Sequence, residues 1–106
     1  MPAIAETVFL YRVWARRGEL LYIGISESPL RRWGKHSQDQ PWWPQVHRLE
    51  AVAVGTRQEA EIAEYVAIGL ERPRYNFLPR KAPPGAEEAF RAAARKRPSP
   101  TKDETV

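Results

Sequence analysis

Few side chains in this sequence are of types that could do chemistry together. Tyr11 and Tyr22 lie in two apolar runs, Arg32 and His36 stand four residues apart, and a row of glutamates follows at Glu59, Glu61, Glu64 and Glu71. Each type has a part in splitting a phosphate ester. A guanidinium's planar fork binds two oxygens of an anion and offsets charge developing there. One carboxylate is enough to anchor a Mg²⁺ or Mn²⁺ ion, because such an ion keeps most of its waters. A phenol, with an ordinary pKa of about 10, accepts a proton only beside positive charge, whereas an imidazole titrates near neutrality. Arg32 and His36 share one face of any helix that contains both. Taken singly, each residue also has a plainer reading. A Tyr on a small sheet packs, an Arg or Glu on a helix is solvated, and His36 suits a helix C-terminus, where the dipole favours it.

Other chemistries lack their parts. The absence of Cys removes disulfides, thiol nucleophiles and Cys-based zinc sites. There is no phosphate-binding GxxxxGK[ST] loop, no HExxH helix and no Gly-rich dinucleotide fingerprint. A Ser-centred triad has no nucleophile elbow and only His36 and His47 to draw on.

The elements that must position these residues belong to a single small domain, since 106 residues leave little for a second. The chain is 42% hydrophobic, with four Trp, four Tyr and three Phe, which allows a compact but small core. The formal charge of +4 favours a polyanionic partner. Its distribution is uneven: residues 1–76 hold ten Lys and Arg against nine acids, residues 77–106 seven against four. Nucleic-acid binding by the body therefore rests on particular residues. No apolar run of about 18 residues is present, and Met1 to Glu6 has neither the basic start nor the apolar stretch of a signal peptide. The expectation is a soluble, cytoplasmic chain without membrane contact.

Thr7 to Ala15 is rich in β-branched and aromatic residues and reads as a strand. Arg16-Arg17-Gly18-Glu19 makes a turn into a second strand, Leu20 to Ile25, completing a hairpin. Ser28 and Pro29 suit the N-cap and first position of a helix reaching about Ser37, with Gly34 its weak point. A proline-clamped loop over residues 38–44 leads to a third strand, Val46 to Val54, ended by Gly55. Thr56 and Glu59 form a capping-box pattern opening a helix that runs to about Glu71 and stops at Pro73. Ala60, Ala63, Val66, Ala67 and Leu70 give it an apolar face. Residues 1–77 thus form an α/β domain of order β-β-α-β-α with a three-stranded, mostly antiparallel sheet. Residues 78–106 are a Pro-rich basic extension in which only residues 85–96 could form a short helix, marginal unless docked. The last ten residues are expected to be disordered.

Tyr22-Ile23-Gly24 on the second strand, Phe9-Leu10-Tyr11 on the first, Arg32 in PLRRWGKH, Glu64 in TRQEAEIAE and Asn76 in PRYN resemble, in order and interval, the motifs of the GIY-YIG nucleases. The likeness covers roughly residues 7–77 and is similar to the nuclease module of bacterial excision-repair enzymes. It implies a metal-dependent endonuclease acting on DNA, double-stranded or branched. It also lifts Glu64 above the other glutamates as the anchor for Mg²⁺ or Mn²⁺. Tyr11 and Tyr22 become the candidates for proton removal, either being able to serve, Arg32 the contact to the scissile phosphate, and Asn76 a group orienting the site. His36 either moves a proton or bonds a phosphate. Gly24, Arg31 and Lys35 fall at the DNA-binding surface. Two departures stand out: Phe9 replaces the first glycine, and Ile25 occupies a position where some relatives carry Lys, leaving more to Arg32, Lys35 and His36.

Trp42 and Trp43, between prolines, can stack bases or lid the core, and the area a Trp buries favours the lid. Trp33 is assigned to the core and His47 to a structural role. Arg95-Lys96-Arg97 either adds phosphate contacts or is idle. Two alternatives stay open: a degenerate module that only binds nucleic acid or a protein, and an unrelated α/β domain docking by its basic tail.

Overall fold

The computed structural model describes residues 7–96. The expectations for Met1 to Glu6, for the last ten residues and for Arg97 fall outside them. The chain forms β1 (Val8–Ala15), β2 (Leu20–Ser26), α1 (Pro29–Asp39), a 3₁₀ turn (Trp43–Gln45), β3 (Val46–Gly55), α2 (Arg57–Glu71) and α3 (Ala86–Lys96). The sheet order is β2-β1-β3, and both pairings are antiparallel. This is the small α/β domain expected from the sequence. Among the described residues, no helix is long and apolar enough to cross a membrane.

β1 is central because both its faces are apolar. Leu10 joins Ile23, Ala67 and Ile68 beneath α2, while Tyr11 and Val13 join Leu21 and Trp42 on the opposite face. Tyr11, Val13, Leu21 and Ile23 are almost wholly withdrawn from water, each aliphatic among them stabilising by about 1.5–3 kcal/mol. The hairpin turns at Gly18, whose φ of 89° suits a residue without Cβ. Ala15 and Glu19 close the turn with a 2.8 Å bond.

α2 starts as its sequence dictates. Thr56 Oγ1 accepts from the Glu59 amide at 3.1 Å, and the Glu59 carboxylate accepts from the Thr56 amide at 2.9 Å. It ends at Arg72 in the left-handed region, followed by Pro73. α1 departs from expectation. It runs two residues past Ser37, and the Ser28 side chain makes no capping bond; instead the Ser28 amide donates to Ser26 Oγ at 2.9 Å. Pro29 at the first position fixes the helical φ without needing that cap.

The exit from α2 seals the outer edge of β2. The Arg74 and Tyr75 amides donate to the carbonyls of Leu20 and Leu21 at 3.0 and 2.9 Å. Glu71 of α2 grips Arg12 of β1, with Nε to Oε1 at 2.8 Å. α3 then folds back on α2, with Phe90 lying over Gly69 and edge-on to Tyr65, and with Ala86 fully buried. Docking supplies what an 11-residue helix lacks alone. It also gives α2 a second packed side. Its buried residues are therefore Ala60, Ala67 and Ile68, with Ala63, Val66 and Leu70 only half covered.

Candidate active site

Cross-strand register explains the glycine that follows Tyr22-Ile23. Gly24 lies directly opposite Tyr11, and a Cβ there would overlap Cζ and Oη of the phenol. The absence of a side chain lets the Tyr11 ring lie across β2. From there its hydroxyl meets Nε2 of the buried His36 on α1 at 2.8 Å. Tyr22 stacks on Tyr11 (centroids 6.2 Å apart) and on Trp42 (5.1 Å), with the His36 ring edge-on at 5.2 Å. Two phenols and an imidazole are thereby held in one aromatic box.

Charge reaches this box from two helices. Arg32, one turn before His36 and exposed, acts electrostatically on Tyr11, Tyr22 and His36. Glu64, half-buried on α2, acts on both phenols. The guanidinium and the carboxylate are therefore both near enough to the tyrosines to bear on their charge. Burial, followed by the neighbouring Tyr22, pushes the Tyr11 hydroxyl far above its ordinary value against the pull of Arg32. Tyr22 is raised by burial and then by Glu64, again against Arg32. His36 is lowered by burial and by Arg32, with Asp39 opposing. Glu64 is raised by burial and by Glu61, with Arg57 opposing. At neutral pH Tyr11 keeps its proton and His36 is uncharged, and the tautomer of the imidazole sets which of the two donates in their bond.

Glu64 makes no hydrogen bond or ion pair among the described residues. Among these residues no group of three or more His, Asp or Glu could hold a metal. A desolvated carboxylate with free oxygens fits an ion needing one protein ligand and several waters, which is the habit of Mg²⁺. Asn76 pins the backbone between the two site strand positions: its Oδ1 accepts from the Ile23 amide at 3.2 Å and its Nδ2 donates to the Ile23 carbonyl at 2.6 Å. It holds Tyr22 and Gly24 by gripping the residue between them.

Beside Arg32 opens a groove of about 540 Å³, lined by four basic residues, Arg31, Arg32, Lys35 and Arg57, one acid, Glu27, and Ser26 and Ser28. Arg57 is the residue that sequence reading missed. It follows the capping Thr56, and nothing local shows that the start of α2 lies beside the start of α1. Lys35 is paired with Asp39 at 3.1 Å and Arg57 with Glu27 at 3.9 Å. Ile25 packs against the aliphatic cluster under α2. Phe9 pairs with Ser26 in the same register as Tyr11 with Gly24, and no residue of β1 has a positive φ, so the strand does not need a glycine there. Trp42 is buried against Tyr22 and Tyr75, a lid with no exposed face, and Trp43 is half-buried beside it. Trp33 meets Tyr11 edge-on, and its buried indole N–H has no partner among the described residues. His47 is exposed on β3, and Arg95 and Lys96 are exposed at the end of α3.

A hairpin with stacked phenols, and two helices that bring a guanidinium and a carboxylate near them, define a small domain of the GIY-YIG type. The family model described as the GIY-YIG catalytic domain matches residues 7–76, and the chain belongs to that family of nucleases. No curated protein and no solved structure matches it.

Proposed function

We propose that this domain is a metal-dependent endonuclease that hydrolyses phosphodiester bonds of DNA. The observation carrying the reading is that Tyr11, Tyr22 and His36 share one aromatic box, with Arg32 one turn before His36 on α1 and Glu64 of α2 near enough to bear on both phenols. The basic groove leads a strand to Arg32, whose fork binds two oxygens of the scissile phosphate and offsets the charge that develops on them. Glu64 would hold a Mg²⁺ or Mn²⁺ ion, which when bound would supply charge neutralisation and stabilise the leaving oxygen.

Tyr22 takes the proton of the attacking water. It keeps exposed surface, whereas Tyr11 is buried and its hydroxyl is bonded to His36. Burial first, and then the charge of Glu64, favour the neutral Tyr22, and Arg32 opposes them by favouring the phenolate. Tyr11 and His36 hold the Tyr22 ring in place, and Asn76 fixes its strand. Arg31, Lys35 and Arg57 bind flanking phosphates without reading sequence.

Supercoiled plasmid incubated with the protein in Mg²⁺ or in EDTA tests this. Nicking that needs the ion and disappears in Glu64→Ala and Arg32→Ala supports the proposal. Retardation of DNA without cutting would instead make the domain a binding module.

A further inference from the structure

A second hollow adjoins the proposed reaction centre at Glu64. It holds about 450 Å³, in the size range of small-ligand pockets (~300–1,000 Å³), and Glu64 is part of its wall. One side is α2, presenting Tyr65 and Ile68; the other is the Pro-rich segment at residues 79–84, kept in place by α3 docking on α2. The family match ends at residue 76, so this second wall is an addition outside the common domain. The lining combines apolar groups, namely the Tyr65 ring and the rings of Pro79 and Pro83, with three charged ones, the Glu61 and Glu64 carboxylates and the Lys81 ammonium. Neither Glu61 nor Lys81 has a hydrogen bond or ion pair among the described residues.

We infer that this hollow receives the unstacked base of the nucleotide next to the scissile phosphate. The domain would then select DNA in which that base is unpaired or loosely stacked. The inference rests on the nuclease reading of Glu64 and Arg32, and it adds the form of the substrate. Three features carry it. Glu64 belongs both to the reaction centre and to the hollow, so an occupant lies one nucleotide from the bond to be cut. The flat Tyr65 ring and the apolar proline surfaces beside it suit a base, which stacks on aromatic and apolar surfaces once out of the helix. An acceptor and a donor, Glu61 and Lys81, match the amino groups and the ring nitrogens or carbonyls of a base edge. A base in an intact duplex must be unpaired before it can enter, whereas a mismatched or single-stranded one has already met much of that cost.

The test compares, with the full chain in EDTA, the Kd for a short duplex bearing one mismatch and for the same duplex fully paired. The mismatched duplex is expected to bind about tenfold tighter, because its base is already partly unstacked. Ala82→Trp fills the hollow, since Ala82 is part of its lining. This variant should bring the ratio close to one while leaving the paired duplex bound as before. Lys81→Ala should lower the ratio as well, and it serves if the Trp variant does not fold. With Mg²⁺ added, cutting should fall beside the mismatch. Equal binding of both duplexes by the wild type, or a ratio unchanged in these variants, overturns the inference even if DNA is cut. A ratio that behaves as described without any cutting leaves the hollow as a base site and removes the nuclease reading instead.

Discussion

The two faces of β1 are packed by different means. Under α2, Leu10, Ile23, Ala67 and Ile68 make an aliphatic layer with no polar side-chain atom to satisfy. Across the sheet, Tyr11, Tyr22, His36 and Trp42 pack together but keep hydroxyl and imidazole groups inside, joined by one 2.8 Å bond. Substitution of an aliphatic residue costs stability in proportion to the cavity it leaves. Substitution in the aromatic box changes where protons sit and which way rings face. The fold thus separates the residues that hold the domain together from those that would work, within one strand whose alternate side chains go to opposite faces.

The sharpest way to break this division is at the charged rim of the box. Arg32→Ala is expected to slow DNA cutting by about 10²–10³-fold, the cost typical of removing one donor to a developing anion. It should leave the unfolding free energy within about 0.5 kcal/mol, because the side chain is exposed. Ile23→Ala on the aliphatic face should do the reverse. It should cost about 2–5 kcal/mol in urea unfolding, with kcat preserved in whatever fraction remains folded. Gly24→Ala joins the two faces of the comparison. The new methyl must displace the Tyr11 ring, with a stability loss of about 1–3 kcal/mol and a weakened Tyr11–His36 bond, visible as a changed His36 imidazole NMR shift.

The smallest effect is expected in pH dependence. The folded-state pKa of His36 lies below its ordinary 6.5, so in the window just below that value the unfolded chain binds more protons than the folded one. Stability should therefore fall as pH drops through 6.5 toward the depressed value. The groups facing this ring are Arg32, Lys35 and Asp39 from α1 and the two phenols from the hairpin. His36→Gln, which can still hydrogen-bond Tyr11, should flatten that slope in urea titrations at pH 5 and 7.

The elements with local causes could be read from the sequence. The Thr56–Glu59 box, the stop at Pro73, the hairpin turn around Gly18 and the strand pattern all depend on neighbours within a few residues. The order of tripeptides, Arg32, Glu64 and Asn76 was legible for the same reason. Other features depend on register and topology. That Gly24 makes room for Tyr11 follows only once the two are seen as cross-strand partners. That Asn76 grips Ile23 follows only once the chain is seen to return along β2. Arg57 and Lys81 lie at surfaces formed by elements distant in sequence, which no local pattern reports. Ser28 shows the opposite failing: its type promised a cap that the geometry does not make.

A double-mutant cycle on cutting rate, with Arg32→Ala, Glu64→Ala and the pair together, bears most directly on the claim that the two groups serve one centre. If they act on the same transition state, the double variant should be hardly slower than the worse single one, since effects of groups that work as a unit do not add. Losses that multiply in full, or a single variant that cuts like the wild type, would show that the guanidinium and the carboxylate do not share a site.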